Sequence, residues 1–346
     1  MRTLKAALLG GALLLAAGQA RAEGDLFLYN WSNYIPPELL ARFEKESGIK
    51  VTLDVYDSNE TMVAKLQAGA GGYDVVLPST YMIKPMVAQG LLEEIDAASL
   101  PNFKNVKETF RKQPFDPDNA YTAPYLWGTT GYSYDSARVP GGSLPESWAP
   151  FFEPPPELDK QVAAMNDEVE VWNAAAYYLG IDKCTADKAE AQKILDLLEA
   201  QKPHLAMYQS DGTIDRMAAK EVIMHQQWNG AAHRTKEKLP SVVYVYPKEG
   251  LTLWGDNFAV PKGAPHLENA KTFINWMMDP KNIAEASNFA GYNNAIEGSE
   301  DFLDPAFKDD PAMSLPEGYE DRLRPTEDCS NESRELRNRV WTRLKS

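Results

Sequence analysis

Long apolar runs are scarce in this sequence. After residue 22, no stretch reaches the roughly 18 consecutive apolar residues that a membrane helix requires. The N-terminal segment MRTLKAALLGGALLLAAGQARA is apolar but too short to cross a bilayer, and it has a basic start at Arg2 and Lys5 and the small-x-small ending ARA at 20–22. This pattern is typical of a cleaved secretory signal peptide, so we expect residues 1–22 to be removed and the protein to be exported.

Cysteine is equally scarce, with only Cys184 and Cys329 in the chain. One disulfide is compatible with export into an oxidising compartment, but spacing alone does not establish that these two residues pair. Two cysteines do not supply the four ligands of a structural zinc site. The four histidines show neither an HExxH motif nor metal-pair spacing, so we expect no metal and no cofactor.

Catalytic signatures are absent as well. Ser79 lies in LPSTY without the glycines of a nucleophile elbow, and its position suits a cap for the helix that follows. The glycine-rich GAGGYD at 69–74 follows a predicted helix and precedes a predicted strand, which reverses the order of a dinucleotide-binding loop. We therefore expect a protein that is not an enzyme.

Positive charge is in deficit. The chain has 35 basic and 50 acidic residues, which gives a formal net charge of 35 − 50 = −15. Removing residues 1–22 takes away three basic residues and no acidic ones, and leaves 32 − 50 = −18. Because nucleic-acid binding depends on lysine and arginine, we expect no nucleic-acid partner. A small cation would be attracted, although an acidic surface kept for solubility explains the same charge.

The remaining 346 − 22 = 324 residues exceed one ordinary hydrophobic core, which favours two domains. In the first third, strand patterns at 26–31, 50–56 and 73–78 alternate with amphipathic helix patterns, and a second such set follows at 132–256. This order predicts an α/β fold with a mixed, mainly parallel sheet flanked by helices. The proline-rich segment at 145–159 is predicted to be a surface excursion.

Aromatic and polar residues follow two of these strands directly, in YNWSNY at 29–34 and LPSTYM at 77–82. In parallel-rich sheets, ligands bind outside the carboxyl ends of the strands. Both segments are therefore placed where this architecture predicts a binding site.

Two arrangements of carboxylate residues also favour a binding site. In LTLWGDNFAV, Trp254 and Asp256 are two residues apart and share one face of an extended strand. In MNDEVEVW, Asp167 and Glu170 are three apart and share one face at a helix start. Each has a plainer interpretation: solvation of Asp256 at a sheet edge, and capping of the helix by Asp167 and Glu170.

The chain resembles the periplasmic spermidine/putrescine-binding proteins of ABC import systems. The resemblance covers nearly the whole mature chain and rests on collinear motifs: YNWSNYI, YDVVLPSTYM, LWGTTGYSYD, LPESW, WNG, YPKEG and LWGDNFAVP. It implies a monomeric periplasmic binding protein of the two-lobed, hinged type II fold. It also implies a polyamine, putrescine or spermidine, trapped between the lobes, and membrane permease subunits as partners.

Matching the motifs position by position implies twelve ligand-binding residues. They are aromatic walls from Trp31, Tyr34, Tyr81, Trp228, Trp254 and Tyr292, carboxylates from Asp167, Glu170 and Asp256, and hydroxyls from Ser32, Ser79 and Ser210. Asn33 departs from the family, whose members commonly carry an acidic residue there. Truncating Trp254 or Asp256 is expected to weaken binding strongly and to leave the stability of the ligand-free protein nearly unchanged.

The resemblance also implies a discontinuous division of the chain. The N-terminal lobe would comprise 23–131 and 257–305, and the C-terminal lobe 132–256 and 306–346. Hinge crossings are expected near 128–133, near 257–262 and after about residue 300.

Three rival functions are considered. The same fold could hold another amine-bearing solute, such as an opine or an amino-acid-like compound, but a ligand carboxylate would call for an arginine, and the matched positions contain none. An exported α/β hydrolase would need a nucleophile and a base. A ferric-ion binder of similar build would use tyrosine oxygens.

Overall fold

The computed structural model describes residues 24–69 and 71–346. The predicted signal peptide, residues 1–22, lies outside the described residues. The described chain forms eleven strands: β1 (Gly24–Trp31), β2 (Ile49–Tyr56), β3 (Val75–Val76), β4 (Thr122–Asp135), β5 (Val162–Ala164), β6 (Leu205–Tyr208), β7 (Met224–Trp228), β8 (Val242–Val245), β9 (Leu251–Ala259), β10 (Asn293–Asn294) and β11 (Leu323–Pro325).

Twelve α-helices accompany these strands in the described residues: α1 (Pro37–Ser47), α2 (Asn59–Gln67), α3 (Thr80–Ala88), α4 (Ala149–Phe152), α5 (Glu168–Leu179), α6 (Lys188–Gln201), α7 (Thr213–Ala218), α8 (Asn229–Lys238), α9 (Leu267–Met277), α10 (Pro280–Ala290), α11 (Pro305–Asp309) and α12 (Asn331–Lys345). None of these helices combines the length and the apolar composition that a membrane crossing requires.

The strands form one mixed sheet in the order β2-β1-β3-β9-β4-β7-β5-β6, with β8 and β10 paired to β4 and β11 paired to β9. Pairing is parallel among β2, β1 and β3 and among β7, β5 and β6. It is antiparallel where β3 meets β9, β9 meets β4 and β4 meets β7. The predicted α/β class is confirmed, with parallel pairing concentrated in the two outer parts of the sheet.

Local sequence explains where helix α1 begins and ends and where helix α5 begins. Helix α1 begins at Pro37, buries Leu39 and Phe43 on one face, and ends at Gly48, whose φ of 80° is the left-handed conformation that glycine adopts without strain. Helix α5 is capped by Asp167, whose side chain accepts hydrogen bonds from the first turn. The start of α5 lies where the sequence predicts a helix start.

Two large hydrophobic cores pack against the sheet. The first draws on residues between 26 and 126 and between 254 and 296, and the second on residues between 132 and 245 and between 336 and 344. The segment 145–159 belongs to the second core, since Trp148 and Phe151 are fully buried. The prediction of a surface excursion there is wrong, because its aromatic side chains bury against β4 despite the many prolines.

Strand β4 runs from one core to the other, with Leu126 in the first and Tyr132 in the second. Its two glycines lie where the chain has no room for a side chain. A Cβ on Gly128 would overlap the side chains of Asn229 and Trp254, and one on Gly131 would overlap the carbonyl of Val245. The predicted lobe boundaries and hinge crossings stay predictions.

Cys184 and Cys329 form a disulfide, which settles the pairing that spacing left open. It joins the α5–α6 connection to the segment after β11. That segment is also held by Lys183, which bonds the carbonyl of Pro325, and by Thr326 N, which donates to Leu253 O at 2.9 Å. Strand pairing and this hydrogen bond hold β11 beside β9, and the disulfide ties the segment after β11 to the α5–α6 connection.

Candidate ligand-binding cleft

One cavity of about 340 Å³ lies beside the strand ends, lined by side chains of the first core and by residues at the start of α5 and around α7. Its lining includes all twelve residues that the sequence analysis singles out, drawn from positions between 31 and 292 of the chain. The topology therefore brings together side chains that are far apart in sequence. The three predicted groups, aromatic, carboxylate and hydroxyl, each occupy an identifiable part of the wall.

The carboxylate of Asp256 lies at the centre of one wall. Tyr34 Oη donates to its Oδ2 at 2.7 Å, and Ser79 Oγ donates to its Oδ1 at 2.6 Å. Asp256 is 5 % exposed, so its solvation at a sheet edge is ruled out. Ser79 is at the N-cap position of α3 but its hydroxyl makes no cap hydrogen bond, because it is turned to Asp256.

Burial raises the pKa of the Asp256 carboxyl to about 7, and the hydrogen bonds from Ser79 and Tyr34 oppose that shift. Two neutral donors stabilise the carboxylate less than a cation would. Among the described residues, no lysine or arginine forms an ion pair with Asp256.

Asn59 and Tyr81 continue this wall. Asn59 Nδ2 donates to Ser79 Oγ and to Tyr81 Oη, each at 3.0 Å, and Tyr81 Oη lies 3.3 Å from Glu60 Oε1. Consecutive hydrogen bonds thus join six residues, which we call the polar row: Tyr34, Asp256, Ser79, Asn59, Tyr81 and Glu60. Burial, and then the charge of Asp167, raise the pKa of Glu60.

A second carboxylate group in the cavity lining lies at the start of α5. Asp167 Oδ1 accepts hydrogen bonds from the backbone of Val169 at 2.9 Å and of Glu170 at 3.1 Å, so the capping interpretation of Asp167 is confirmed for that oxygen. Glu170 Oε1 accepts from Thr130 Oγ1 at 2.8 Å. Glu170 Oε2 is buried and has no hydrogen-bond partner in the part of the chain that the structure describes.

The electrostatics of this group follow from its burial. Burial, and then the charge of Asp167, raise the pKa of Glu170, and burial raises that of Asp167. Burial therefore disfavours the charged form of both groups, and an approaching cation would oppose that effect.

Aromatic rings cover the surfaces between these carboxylates. Trp31 Nε1 donates to Leu77 O at 3.0 Å, which fixes an indole whose centroid is 4.7 Å from that of Tyr56. The rings of Trp254 and Tyr292 lie 5.0 Å apart, edge to face, and Tyr292 lies 5.6 Å from Tyr34.

The other predicted residues complete the lining. Trp228 ends β7 immediately before α8, so this connection brings its indole to the cavity. Ser210 Oγ accepts from Asn166 N at 3.0 Å, and Ser32 N donates to Tyr56 O at 3.3 Å.

Several lining residues were not predicted from the sequence. They include Tyr56, Asp57, Asn59, Asp211, Asp215, Arg234, Lys238 and Thr326. Arg234 and Lys238 come from α8, a polar helix that the sequence analysis did not predict. The lack of an arginine at the matched positions favours a purely cationic ligand, and Arg234 in the lining removes the basis for that preference. The spacing of Ala231, Arg234 and Lys238, three and then four residues apart, is the signal that places them on one face of α8.

The lining as a whole contains six carboxylates and two cationic side chains. Buried carboxylates and aromatic faces bind ammonium groups, through charge-assisted hydrogen bonds and through attraction to the ring face. The arrangement is therefore suited to capture a small organic cation.

Comparison with known proteins gives the family. Residues 38–314, which are 314 − 38 + 1 = 277 of 346, match the model of the bacterial extracellular solute-binding proteins. The chain belongs to this family. As a solute-binding protein, it is similar to the spermidine/putrescine-binding periplasmic protein of Salmonella typhimurium LT2, with 34% identity over 88% of each chain. It is 32% identical to the putrescine-binding periplasmic protein PotF of Escherichia coli K12, over 98% of this chain and 96% of that one.

Solved structures share the architecture. The spermidine/putrescine ABC transporter substrate-binding protein PotD of Streptococcus pneumoniae is 29% identical, with a TM-score of 0.76 over 93% of this solute-binding protein and 99% of that chain. The protein AgtB of A. tumefaciens R10, solved with agropinic acid, has a TM-score of 0.73 over 93% and 98% of the two chains. At 20% identity, this second likeness shows the fold alone.

Proposed function

We propose that this protein captures a linear polyamine, such as putrescine or spermidine, and delivers it to the permease of an ABC importer. The observation that carries the proposal is a pair of buried carboxyl groups, Asp256 and Glu170, which form no ion pair within the described residues and lie between aromatic faces in one cavity. The names of the Salmonella and Escherichia relatives support the same ligand class.

The physical chemistry of a polyamine fits this lining. Its methylene groups are stabilised by about 0.8 kcal/mol each when aromatic faces remove them from water. Its ammonium groups gain charge-assisted hydrogen bonds to Glu170 and Asp256, and roughly 0.5–2 kcal/mol from a ring such as Trp254. Because each ammonium supplies the counter-charge that the buried carboxylates lack, ligand binding and carboxylate ionisation favour each other.

The proposal extends to location, mechanism and assembly. Periplasmic relatives support export, and membership of a solute-binding family supports a role without catalysis. We propose the lobe division predicted from the sequence, with closure of the two lobes around the ligand. A ligand that contacts both walls shifts the population toward the closed form in proportion to its preference for it. The permease would then recognise the closed monomer.

Isothermal titration calorimetry tests the function directly. Putrescine, cadaverine, spermidine and spermine are titrated into the purified mature chain, with glutamate as an anionic control. We expect at least one amine to bind with a Kd of roughly micromolar or tighter, and no heat from glutamate. An absence of binding by every amine, from protein whose circular dichroism shows it folded, would overturn the proposal.

A second candidate is an amine-bearing solute that also carries a carboxylate, and Arg234 in the cavity lining is the observation that favours it. In that case the guanidinium would donate two parallel hydrogen bonds to the ligand carboxylate. Titration with ornithine, arginine and an opine separates the two candidates: only the second predicts that any of these binds more tightly than putrescine.

A further inference from the structure

The cavity is electrically asymmetric. At one end, the polar row finishes at Tyr81 and Glu60, and Asp167 is close enough for its charge to raise the pKa of both groups. Asp256 lies in the middle of the row. At the other end the row finishes at Tyr34, beside Tyr292. The residue before Tyr34 in the chain is the uncharged Asn33.

Arg234 occupies this second end. Its Nη1 donates to the carbonyl oxygen of Asn33 at 3.3 Å, and its guanidinium lies 5.1 Å from the ring centroid of Phe289. These contacts hold a half-buried cation beside the Tyr34 end of the row. In the described part of the chain, no carboxylate forms an ion pair with Arg234.

The neighbouring cation is different. Lys238, one turn further along α8, bonds the carboxylate of Asp215 at 2.7 Å, and both groups are exposed. The charge of Lys238 is therefore compensated and screened by water. Arg337, whose charge acts on Glu60 and Asp167, is paired as well, with Glu168 at 3.2 Å. Among the described cations of the cavity lining, Arg234 is therefore the one without an ion-paired carboxylate.

From this asymmetry we infer that Arg234 is a specificity determinant that selects diamines against triamines. This inference rests on the proposed function. A diamine fills the part of the cavity with Asp167, Glu170 and Asp256, where each ammonium has a carboxylate. A triamine that occupies the same positions must extend along Tyr34 and Tyr292 and place its third ammonium beside Arg234. Like charges there lower its affinity, and the uncharged Asn33 side chain supplies no compensation.

Calorimetric titration of putrescine and spermidine into wild type and three variants tests the inference. We expect the wild type to bind putrescine at least tenfold more tightly than spermidine. Arg234→Gln removes the charge and should shift the ratio of the two affinities about tenfold toward spermidine. Arg234→Lys keeps the charge and should keep the wild-type preference. Lys236→Gln removes the same charge from the same helix outside the lining, and should also keep it.

The outcomes are distinguishable. An unchanged ratio of the two affinities in Arg234→Gln would overturn the role of Arg234 while leaving the proposed function intact. Equal gains in Arg234→Gln and Arg234→Lys would show that side-chain shape, not charge, sets the preference, and would also overturn it. Failure of folded wild type to bind either amine would overturn the proposed function itself. Putrescine binding by Arg234→Gln serves as the check that this variant is folded.

Discussion

At the scale of single residues, the surroundings of Asp256 have two opposing effects on its carboxylate. Its hydrogen bonds from Tyr34 and Ser79 fix the carboxylate in one orientation, yet burial raises its pKa to about 7 because no cation neutralises it. In the unfolded chain an aspartate titrates near pH 3.9. The folded protein therefore binds a proton that the unfolded chain has already released, and this group destabilises the ligand-free fold as pH rises from about 4 through about 7.

Asp256→Asn tests this conflict between stability and binding. The amide keeps the shape without the charge, so we expect it to raise the free energy of unfolding of the ligand-free protein at pH 8 by roughly 1–3 kcal/mol relative to wild type. At pH 5 the difference should be small. Affinity for putrescine should fall at least 100-fold, since a buried ammonium loses its partner. Urea unfolding at the two pH values, with calorimetry, measures both; a loss of stability at pH 8 would contradict this account.

Trp254 is buried more deeply than the expectation of an unchanged stability after its truncation implies. It is 7 % exposed and belongs to the first core, with its ring against Tyr292. The residue therefore has a structural role as well as a place in the cavity lining.

Trp254→Ala should accordingly lower the free energy of unfolding of the ligand-free protein by about 3–5 kcal/mol, in addition to weakening ligand binding. Trp254→Phe retains an aromatic face and should lose less of both. Thermal and urea unfolding of the ligand-free variants check this; wild-type stability in Trp254→Ala would restore the original expectation.

Residue-scale prediction from sequence succeeded where spacing defines a shared face. Two-residue spacing placed Trp254 and Asp256 together, and three-residue spacing did the same for Asp167 and Glu170. Burial was not predictable in this way, because it depends on side chains hundreds of residues away: Tyr34 reaches Asp256 across 222 positions.

At the scale of elements, the strands and helices with clear apolar periods were predictable, and the exceptions have physical reasons. Helix α8 was missed because its sequence NGAAHRTKEK is polar, although Ala231, Ala232 and Thr235 are buried. Strand β4 contains a proline and two glycines, which weaken a strand pattern, yet it pairs with β7, β8, β9 and β10 and forms the centre of the sheet.

The disulfide has its main consequence at this scale. Cys184–Cys329 closes a loop of 145 residues and holds β11, and the residue directly after β11 is Thr326, which lines the cavity. The covalent bond therefore supports one edge of the binding site.

Replacing both cysteines by serine should lower the free energy of unfolding by about 2–4 kcal/mol, because the unfolded chain regains the freedom that a long closed loop removes. We expect a smaller effect on binding, a two- to fivefold loss of putrescine affinity, since only the edge with Thr326 is loosened. Denaturation and calorimetry of the double variant, compared with reduced wild type, check this. Unchanged stability would show that β11 is held by its hydrogen bonds alone.

At the scale of the whole molecule, the two cores and the mixed sheet place six carboxylates around one cavity in a strongly acidic chain. The long-range field attracts cations, and the buried carboxylates then bind them. Binding and proton release are linked: the raised pKa values mean that ligand-free carboxyl groups are partly protonated near neutral pH and lose those protons when an ammonium arrives.

The most direct test of this linkage is calorimetric titration of putrescine at pH 6.5 in two buffers of different ionisation enthalpy, which yields the number of protons exchanged on binding. We predict that binding releases roughly one to two protons per ligand. We also predict that affinity increases between pH 6 and pH 8, before the amines themselves lose their protons. Binding with no proton release and no change of affinity over this range would contradict the claim that buried, uncompensated carboxylates receive the ligand.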